Sequence, residues 1–302
     1  MSGGSRLLLI GLRGSGKTSY LAAFWHVIEA GELPSALAVA QLQGDREYLN
    51  RIRDHWLKFE EVGRTSLRSQ EIVSLVLQDV RSKSDIHVTV PDLSGELFRL
   101  QWATRKATRQ YVEYASEAVG VLLFIHPNAI VESHVLLPDE KDACDVPVTD
   151  SSDSGLAGNL KTSTSGAVPW SPDLSPTQVQ LVELLQFVSH LRSSPEPPPI
   201  AVIVSAWDTV KDPVLPISWL ENKLPLLSQF LTANVNKVPF QVYGVSALGG
   251  DLEKDRERLQ HEDVPSHRIK VVQDTFKPHG DLTAPIQFLL AARRSMKRTA
   301  GQ

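Results

Sequence analysis

The residues with the clearest chemical meaning form a glycine-rich segment close to the start of the chain. From Gly11 to Thr18 the sequence reads Gly-Leu-Arg-Gly-Ser-Gly-Lys-Thr, which fits the spacing G-x-x-x-x-G-K-[ST]. An apolar run precedes this segment and a helical pattern follows it. Between a strand and a helix, such a loop directs several backbone N–H groups and the positive end of the helix dipole at one point. The sequence therefore predicts a polyphosphate-binding loop.

The residues of this loop have different expected roles. Lys17 reaches the β- and γ-phosphates of a bound nucleotide, and the Thr18 hydroxyl binds Mg²⁺. Arg13 either reaches the γ-phosphate as an arginine finger in cis or points outward to solvent or a partner, which is the usual direction for a loop side chain. The predicted nucleotide contacts of the loop are Gly11, Arg13, Gly14, Ser15, Gly16, Lys17, Thr18 and Ser19.

A second motif, Asp92-Leu93-Ser94-Gly95, follows an apolar strand pattern at residues 86–90. A carboxylate at a strand end can hold Mg²⁺ through water, which is the role predicted for Asp92. The backbone N–H of Gly95 is predicted to meet the γ-phosphate. The next residue, Glu96, can accept a hydrogen bond from an attacking water, but its charge is repelled by the γ-phosphate. We therefore expect slow intrinsic hydrolysis that a partner or a dimer accelerates.

Two further strand ends carry residues suited to a purine base. A carboxylate can accept hydrogen bonds from the N1–H and the 2-amino group of guanine, so Asp208 is the predicted base reader. After the next strand, Ser246 and Ala247 are predicted to present a backbone N–H to the guanine O6. Trp207 either covers the base or belongs to the core.

A polar segment at residues 62–66 precedes the first hairpin pattern. Thr65 is predicted to be the switch threonine, whose hydroxyl and carbonyl close over Mg²⁺ and the γ-phosphate. Ser66 is the alternative. The predicted metal ligands are thus Thr18, Asp92 and Thr65, and the predicted catalytic residues are Lys17, Glu96, Thr65 and Arg13.

The elements that must position these residues alternate between strand and helix patterns. This alternation predicts an α/β fold of the P-loop NTPase kind, with a mostly parallel sheet, one antiparallel hairpin strand and helices on both faces. In such sheets ligands bind at the carboxyl ends of the strands. The predicted strands are residues 7–10, 71–80, 85–93, 119–125, 199–205 and 239–245. The predicted helices are residues 20–29, 45–59, 105–115, 177–191, 217–232 and 282–292.

The whole chain, residues 1–302, is expected to form one domain. Residues 139–176 are rich in Asp, Ser, Thr, Gly and Pro, which predicts a flexible low-complexity insertion. Residues 281–302 are predicted to form a C-terminal helix and a basic tail. The net charge of −4 without a basic stripe argues against nucleic-acid binding, and no apolar run is long enough to span a membrane. The one cysteine, Cys144, excludes an internal disulfide framework and favours a cytoplasmic location.

In the order of these motifs the chain resembles the translation-factor-related GTPases, to which the Ras-like small GTPases belong. It resembles more narrowly the bacterial double-GTPase family of predicted conflict and signalling systems. That resemblance rests on Gly-Leu-Arg-Gly-Ser-Gly-Lys-Thr-Ser-Tyr-Leu-Ala-Ala from Gly11, Asp-Leu-Ser-Gly-Glu-Leu-Phe from Asp92, and Gly-Asp-Leu-Thr from Gly280. It implies a switch that binds GTP or GDP with Mg²⁺ and regulates a partner protein or a second GTPase, with a nucleotide-dependent dimer as a further expectation.

The base motif departs from the usual Asn-Lys-x-Asp of these GTPases. Ser205 and Ala206 replace the Asn and the Lys, and Leu248 replaces a common Lys after the fourth motif. Both departures remove aliphatic stems that normally cover the base. Two alternatives therefore stay open, namely a P-loop ATPase and a catalytically silent nucleotide-binding scaffold.

Overall fold

The fold was analysed in a computed structural model, which describes residues 5–44, 46–60, 71–132, 172–194, 196–252 and 254–300. Thr65 and Ser66, the predicted switch residues, lie outside these ranges. So do Cys144 and residues 139–171 of the predicted insertion. Within the described part, no helix is both long enough and apolar enough to cross a bilayer.

The described strands form one eight-stranded sheet in the order β2-β3-β4-β1-β5-β6-β7-β8. Its central strands β4, β1, β5, β6 and β7 are parallel, and β3 pairs antiparallel with both β2 and β4. The predicted fold class is confirmed. The strands are β1 (Ser5–Ile10), β2 (Leu37–Gly44), β3 (Glu71–Asp79), β4 (Asp85–Asp92), β5 (Ala118–Ile125), β6 (Ile200–Ser205), β7 (Phe240–Ser246) and β8 (Lys270–Val272).

Helices cover both faces of this sheet. On one face α1, α2 and α9 pack over alternate strand residues such as Leu7 and Leu9, and on the other face α3 to α7 pack over Leu8 and Ile10. Each such aliphatic side chain, when fully buried, contributes about 1.5–3 kcal/mol. The helices are α1 (Lys17–Ala30), α2 (Arg46–Leu57), α3 (Gly95–Thr104), α4 (Arg109–Glu117), α5 (Thr177–Leu191), α6 (Pro216–Lys223), α7 (Pro225–Ala233), α8 (Arg256–Gln260) and α9 (Ala284–Ala300).

The predicted β3–β4 hairpin is confirmed, but two edge strands were not predicted. β2 lies between the predicted helices at residues 20–29 and 45–59, and β8 has only three residues. Each pairs antiparallel with its neighbour, β2 with β3 and β8 with β7. These edge strands depend on their sheet partners more than on a local apolar pattern, which is why the sequence did not reveal them.

Three predicted helices have different bounds. The pattern over residues 217–232 is broken into α6 and α7 at Pro225, because proline has no N–H to continue the helix. The pattern over residues 105–115 begins only at Arg109, and a separate helix, α3, precedes it. The C-terminal helix continues to Ala300, because Arg and Lys in the basic segment are good helix formers.

The end of the predicted insertion is packed on the fold. A 3₁₀ turn covers Pro172–Leu174, and the indole N–H of Trp102 donates to the carbonyl of Pro172 (3.0 Å). The side chain of Gln180 donates to the carbonyl of Ser175 (2.8 Å). These bonds fix the point at which the chain enters α5.

The Gly-Asp-Leu-Thr segment from Gly280 connects α9 to the start of β2. The Asp281 carboxylate accepts from the backbone N–H of Ala36 (3.0 Å) and of Thr283 (2.8 Å). The Thr283 hydroxyl accepts from the N–H of Leu37 (3.3 Å). The carbonyl of Leu282 accepts from the hydroxyl of Tyr20 in α1. This motif is therefore a structural clamp between α1, β2 and α9.

We predict that Asp281→Ala lowers the free energy of unfolding by about 1–3 kcal/mol, because it removes the acceptor for two backbone N–H groups at the start of β2 and α9. Urea denaturation would measure the change. Asp274→Ala is the matched control, because Asp274 accepts only from exposed glutamine side chains among the described residues and should change stability by less than about 0.5 kcal/mol. Equal losses in the two variants would contradict the clamp.

Candidate functional site

The glycine-rich loop connects β1 to α1 and turns through backbone conformations that suit glycine. Gly14 has φ 70° and Gly16 has φ 87°, both in the left-handed region. Gly16 caps the N-terminus of α1, and neither an acidic residue nor a side-chain cap satisfies this turn among the described residues. The first amides of α1 and the positive end of its dipole are therefore suited to an anion, as the sequence predicts. Thr18 and Ser19 lie half-buried in this first turn.

Lys17 lies under the loop with its side chain buried. Its ammonium donates to the carbonyl of Gly11 (2.7 Å), the carbonyl of Leu12 (3.2 Å) and the hydroxyl of Ser15 (3.2 Å). It also lies 5.6 Å from the centre of the Phe98 ring, on the helix that follows the second motif. These contacts hold a positive charge beside the loop at little solvent exposure, where an anion interacts with it strongly.

The second motif contacts the loop directly. A Cβ atom added at Gly95 would lie 2.6 Å from both the N and the Cα of Arg13, so only glycine allows this approach. Asp92 is the last residue of β4, which lies next to β1 in the sheet. Because Gly95 begins α3, the N-termini of α1 and α3 meet at the same loop.

A charged network links the loop to α3. The Arg13 guanidinium pairs with the Glu96 carboxylate (3.2 Å), and Arg99, one turn along α3, lies 3.8 Å from the same carboxylate. The Arg13 side chain is 59% exposed and that of Glu96 32% exposed. Two of the four predicted catalytic residues are thus brought together, and Arg13 offsets the negative charge of Glu96.

The third motif also contacts the loop. A Cβ atom added at Gly16 would lie 2.8 Å from the Cβ of Ser205, whose hydroxyl donates to the carbonyl of Ile125 (3.2 Å). Ser205 thus occupies the space between β5, β6 and the loop. Beyond it, the exposed carboxylate of Asp208 accepts a hydrogen bond from the hydroxyl of Ser246, so the third and fourth motifs are joined.

Trp207 is half-buried and packs against the core. Its indole packs edge-on against Trp219 with ring centres 6.3 Å apart, in the layer of α6 and α7. Gly244 makes room for it, since a Cβ atom there would lie 2.6 Å from the Trp207 Cγ. Ala206, the residue before Trp207, makes the turn after β6 in the left-handed conformation, with φ 45°. Of the two alternatives for Trp207, the structure selects the core.

His126 is a residue of this region that the sequence analysis missed. It follows β5 directly, so its place at a strand end was the available signal. Burial lowers its pKa, and the nearby Asp208 carboxylate acts in the opposite direction. The ring is therefore neutral at neutral pH, and its Nδ1 accepts from the N–H of Asn128 (3.2 Å).

The described residues hold no cluster of three or more His, Cys, Asp or Glu side chains that could bind a metal. This is compatible with Mg²⁺, which uses few protein ligands together with water and phosphate oxygens. Of the predicted ligands, Thr18 lies in the first turn of α1, and Asp92 is the last residue of β4, the strand beside β1. Thr65, the third predicted ligand, lies outside the described residues.

Comparison with known proteins identifies the family. The model of the family described as Double-GTPase 1 matches residues 8–289, which includes every described motif of the site. The chain belongs to this double-GTPase family. The narrower of the two resemblances seen in the sequence is therefore confirmed. No curated protein matches the chain.

Three solved structures illustrate what this double-GTPase chain is similar to. It is 14% identical to Roco2 RocCORdC of Methanosarcina barkeri bound to GDP (TM-score 0.32), covering 85% of this chain and 48% of that one. It is 11% identical to a bacterial selenocysteine-specific elongation factor (TM-score 0.36), covering 84% and 27%. It is 13% identical to the SRb-GTP/SRX complex of Chaetomium thermophilum (TM-score 0.39), covering 85% and 96%. The chain thus spans about half of the first structure and about a quarter of the second.

We predict that Gly95→Ala lowers the free energy of unfolding of the nucleotide-free protein by about 1–3 kcal/mol, because the new methyl group forces α3 away from the loop backbone. Thermal or urea denaturation would measure this. Ser94→Ala, one residue earlier, is the control, since the buried Ser94 hydroxyl has no hydrogen-bond partner among the described residues. If Gly95→Ala is as stable as Ser94→Ala, the result contradicts the close contact between Gly95 and the Arg13 backbone.

Proposed function

We propose that this chain is a guanine-nucleotide switch that binds GTP and Mg²⁺, hydrolyses GTP to GDP and thereby regulates a partner protein or a second GTPase. The observation that carries the proposal is the close contact of Gly95 and Ser205 with the phosphate loop, which joins motifs from three distant parts of the sequence. Membership of the double-GTPase family supports guanine nucleotide as the ligand.

The phosphates would lie at the N-terminus of α1. There the loop amides and the Lys17 ammonium stabilise the negative charge that develops on the phosphoryl oxygens. Thr18, Asp92 and Thr65 would hold Mg²⁺, which when bound neutralises phosphate charge. The Gly95 amide, at the N-terminus of α3, is the proposed sensor of the γ-phosphate. Release of this contact after hydrolysis would change the surface that a partner meets.

Asp208 is the proposed reader of the base. Its carboxylate offers two acceptor oxygens, which match the N1–H and 2-amino donors of guanine and have no matching pair on adenine. The bond from Ser246 fixes the carboxylate beside the loop that carries Ala247. His126, neutral beside it, leaves the negative charge of Asp208 uncompensated and available to the base.

We predict that Asp208→Asn exchanges guanine for xanthine. An amide offers one donor and one acceptor, so it matches the 2-oxo group and N1–H of xanthine and leaves the guanine 2-amino group unpaired. Loss of a hydrogen bond to a charged acceptor should weaken GDP binding by about tenfold or more, while XDP binding improves. Calorimetric titration with GDP, XDP and ADP would measure both. Asp212→Asn is the control, and an unchanged GDP preference in Asp208→Asn would remove Asp208 from the base site.

Hydrolysis is proposed to depend on the ion pair between Arg13 and Glu96. The Glu96 carboxylate would accept a hydrogen bond from the attacking water, and Arg13 would offset its repulsion from the γ-phosphate. Because the pair is half-exposed, a partner or a second copy can reorganise it. This is the proposed origin of slow intrinsic hydrolysis that a partner accelerates.

We predict that Arg13→Ala slows single-turnover GTP hydrolysis by about tenfold or more while GDP affinity changes little, because the charge is needed in the transition state. Arg99→Ala is the matched control, because Arg99 is farther from the Glu96 carboxylate and lies on the helix rather than the loop. In a chain that already carries Glu96→Gln, the substitution Arg13→Ala should slow hydrolysis less than it does in the wild type. Equal rates in Arg13→Ala and Arg99→Ala would contradict a role for Arg13 in hydrolysis.

An ATPase is the second candidate, and it is favoured by Ala206 and Leu248, which leave the base without the lysine stems of the usual motif. The titration with GDP and ADP separates the two. A silent scaffold would bind nucleotide tightly without hydrolysing it.

Because the family belongs to predicted conflict and signalling systems, the bacterial partner is proposed to be a second GTPase or an effector protein.

A further inference from the structure

The loop of the fourth motif is held from behind by a tryptophan that lies far away in the sequence. The indole N–H of Trp56, near the end of α2, donates to the carbonyl of Ala247 (2.8 Å), 191 residues along the chain. The Trp56 side chain has no solvent exposure. A partly buried carbonyl that accepts from a fully buried indole donor is held in one orientation.

The same loop is fixed at its two ends. The hydroxyl of Ser246 donates to the Asp208 carboxylate and accepts from the backbone N–H of Gly249 (3.1 Å). Gly249 has φ 85°, and the carbonyl of Gly249 accepts from Arg258 (3.1 Å). The bond from Trp56 to Ala247 thus supplies the contact at the middle of the turn.

Trp56 is itself held in place by Arg268. The Arg268 guanidinium lies 4.0 Å from the centre of the Trp56 ring and 4.1 Å from that of Phe59. One of its nitrogens donates to the carbonyl of Trp56 (3.2 Å). Burial lowers the pKa of Arg268 to about 10, so the group stays cationic at neutral pH and its stacking on the rings persists.

The orientation of the Ala247 carbonyl has a chemical consequence. The peptide bond between Ala247 and Leu248 is planar and trans, so the Leu248 N–H points opposite to the carbonyl that Trp56 holds. A backbone N–H donates to the oxygen at position 6 of guanine, but it cannot pair with the 6-amino group of adenine, which is itself a donor.

We propose that Trp56 is a positioning residue for base selection, whose indole N–H orients the loop amides toward the O6 atom of guanine. The proposal rests on the proposed function, since it requires guanine nucleotide in this site. Trp56 does not touch the base. It acts through the peptide of Ala247.

The test compares GDP with 6-thio-GDP, in which sulfur, a weak acceptor, replaces O6. Trp56→Phe keeps an aromatic ring but removes the N–H. We expect it to weaken GDP binding about three- to tenfold, which is the range for one hydrogen bond, and to leave 6-thio-GDP affinity nearly unchanged. Calorimetric titration of the full chain would measure both dissociation constants, and their ratio reports the contact at O6.

The matched control is Trp25→Phe. Trp25 is also buried, and its indole N–H donates to the side chain of Asn50 (3.1 Å) rather than to the base loop. This variant loses the same atoms and should leave the ratio of the two affinities unchanged. If Trp56→Phe fails to fold, Arg268→Lys tests the same proposal, because it removes the planar stack on Trp56 and should weaken GDP binding more than 6-thio-GDP binding.

The outcomes distinguish the role of Trp56 from the proposed function of the chain. A wild-type chain that binds neither GDP nor GTP overturns the proposed function. A wild-type chain that binds GDP, combined with a Trp56→Phe variant that loses GDP and 6-thio-GDP affinity equally, overturns the role of Trp56 and leaves the proposed function in place. A selective loss for GDP in Trp56→Phe, absent in Trp25→Phe, supports the role of Trp56.

Discussion

The structure depends on close contacts at the phosphate loop that leave no room for a side chain at its glycines. At Gly11, Gly16 and Gly95 an added Cβ atom would lie within 3 Å of other atoms, so β5, β6 and the N-terminus of α3 can all reach one short turn. Because the interior is closely packed, a shift at any of these contacts moves the others. Strand ends that are distant in the sequence thus form a single site, and they can approach this closely because the glycines of the loop and of α3 have no side chains.

Charge is arranged around this loop in two layers. Lys17 is buried below it and is held by loop carbonyls, whereas Arg13 lies above it and pairs with Glu96 on the half-exposed side. A buried charge with fixed partners keeps one position, while an exposed ion pair of small net stability can exchange partners easily.

A tryptophan packs at each of the two loops that follow β6 and β7. Trp207 turns into the core against Gly244, and Ala206 makes the turn that allows this. The loop that follows β7 is instead supported by Trp56 and, through it, by Arg268. The helix that carries Trp56 ends at Leu57, and the predicted switch segment at residues 62–66 follows it in the sequence.

The sequence by itself determined the phosphate loop, the central apolar strands, the β3–β4 hairpin and the family, because each is encoded by residues that are close together in the chain. Only the tertiary structure decided that β2 and β8 complete the sheet, since edge strands are stabilised by pairing with residues elsewhere. It also decided that Trp207 faces the core, that Arg13 meets Glu96 and that Trp56 meets Ala247. Contacts over such separations depend on how helices and strands pack, which no local pattern of residue types records.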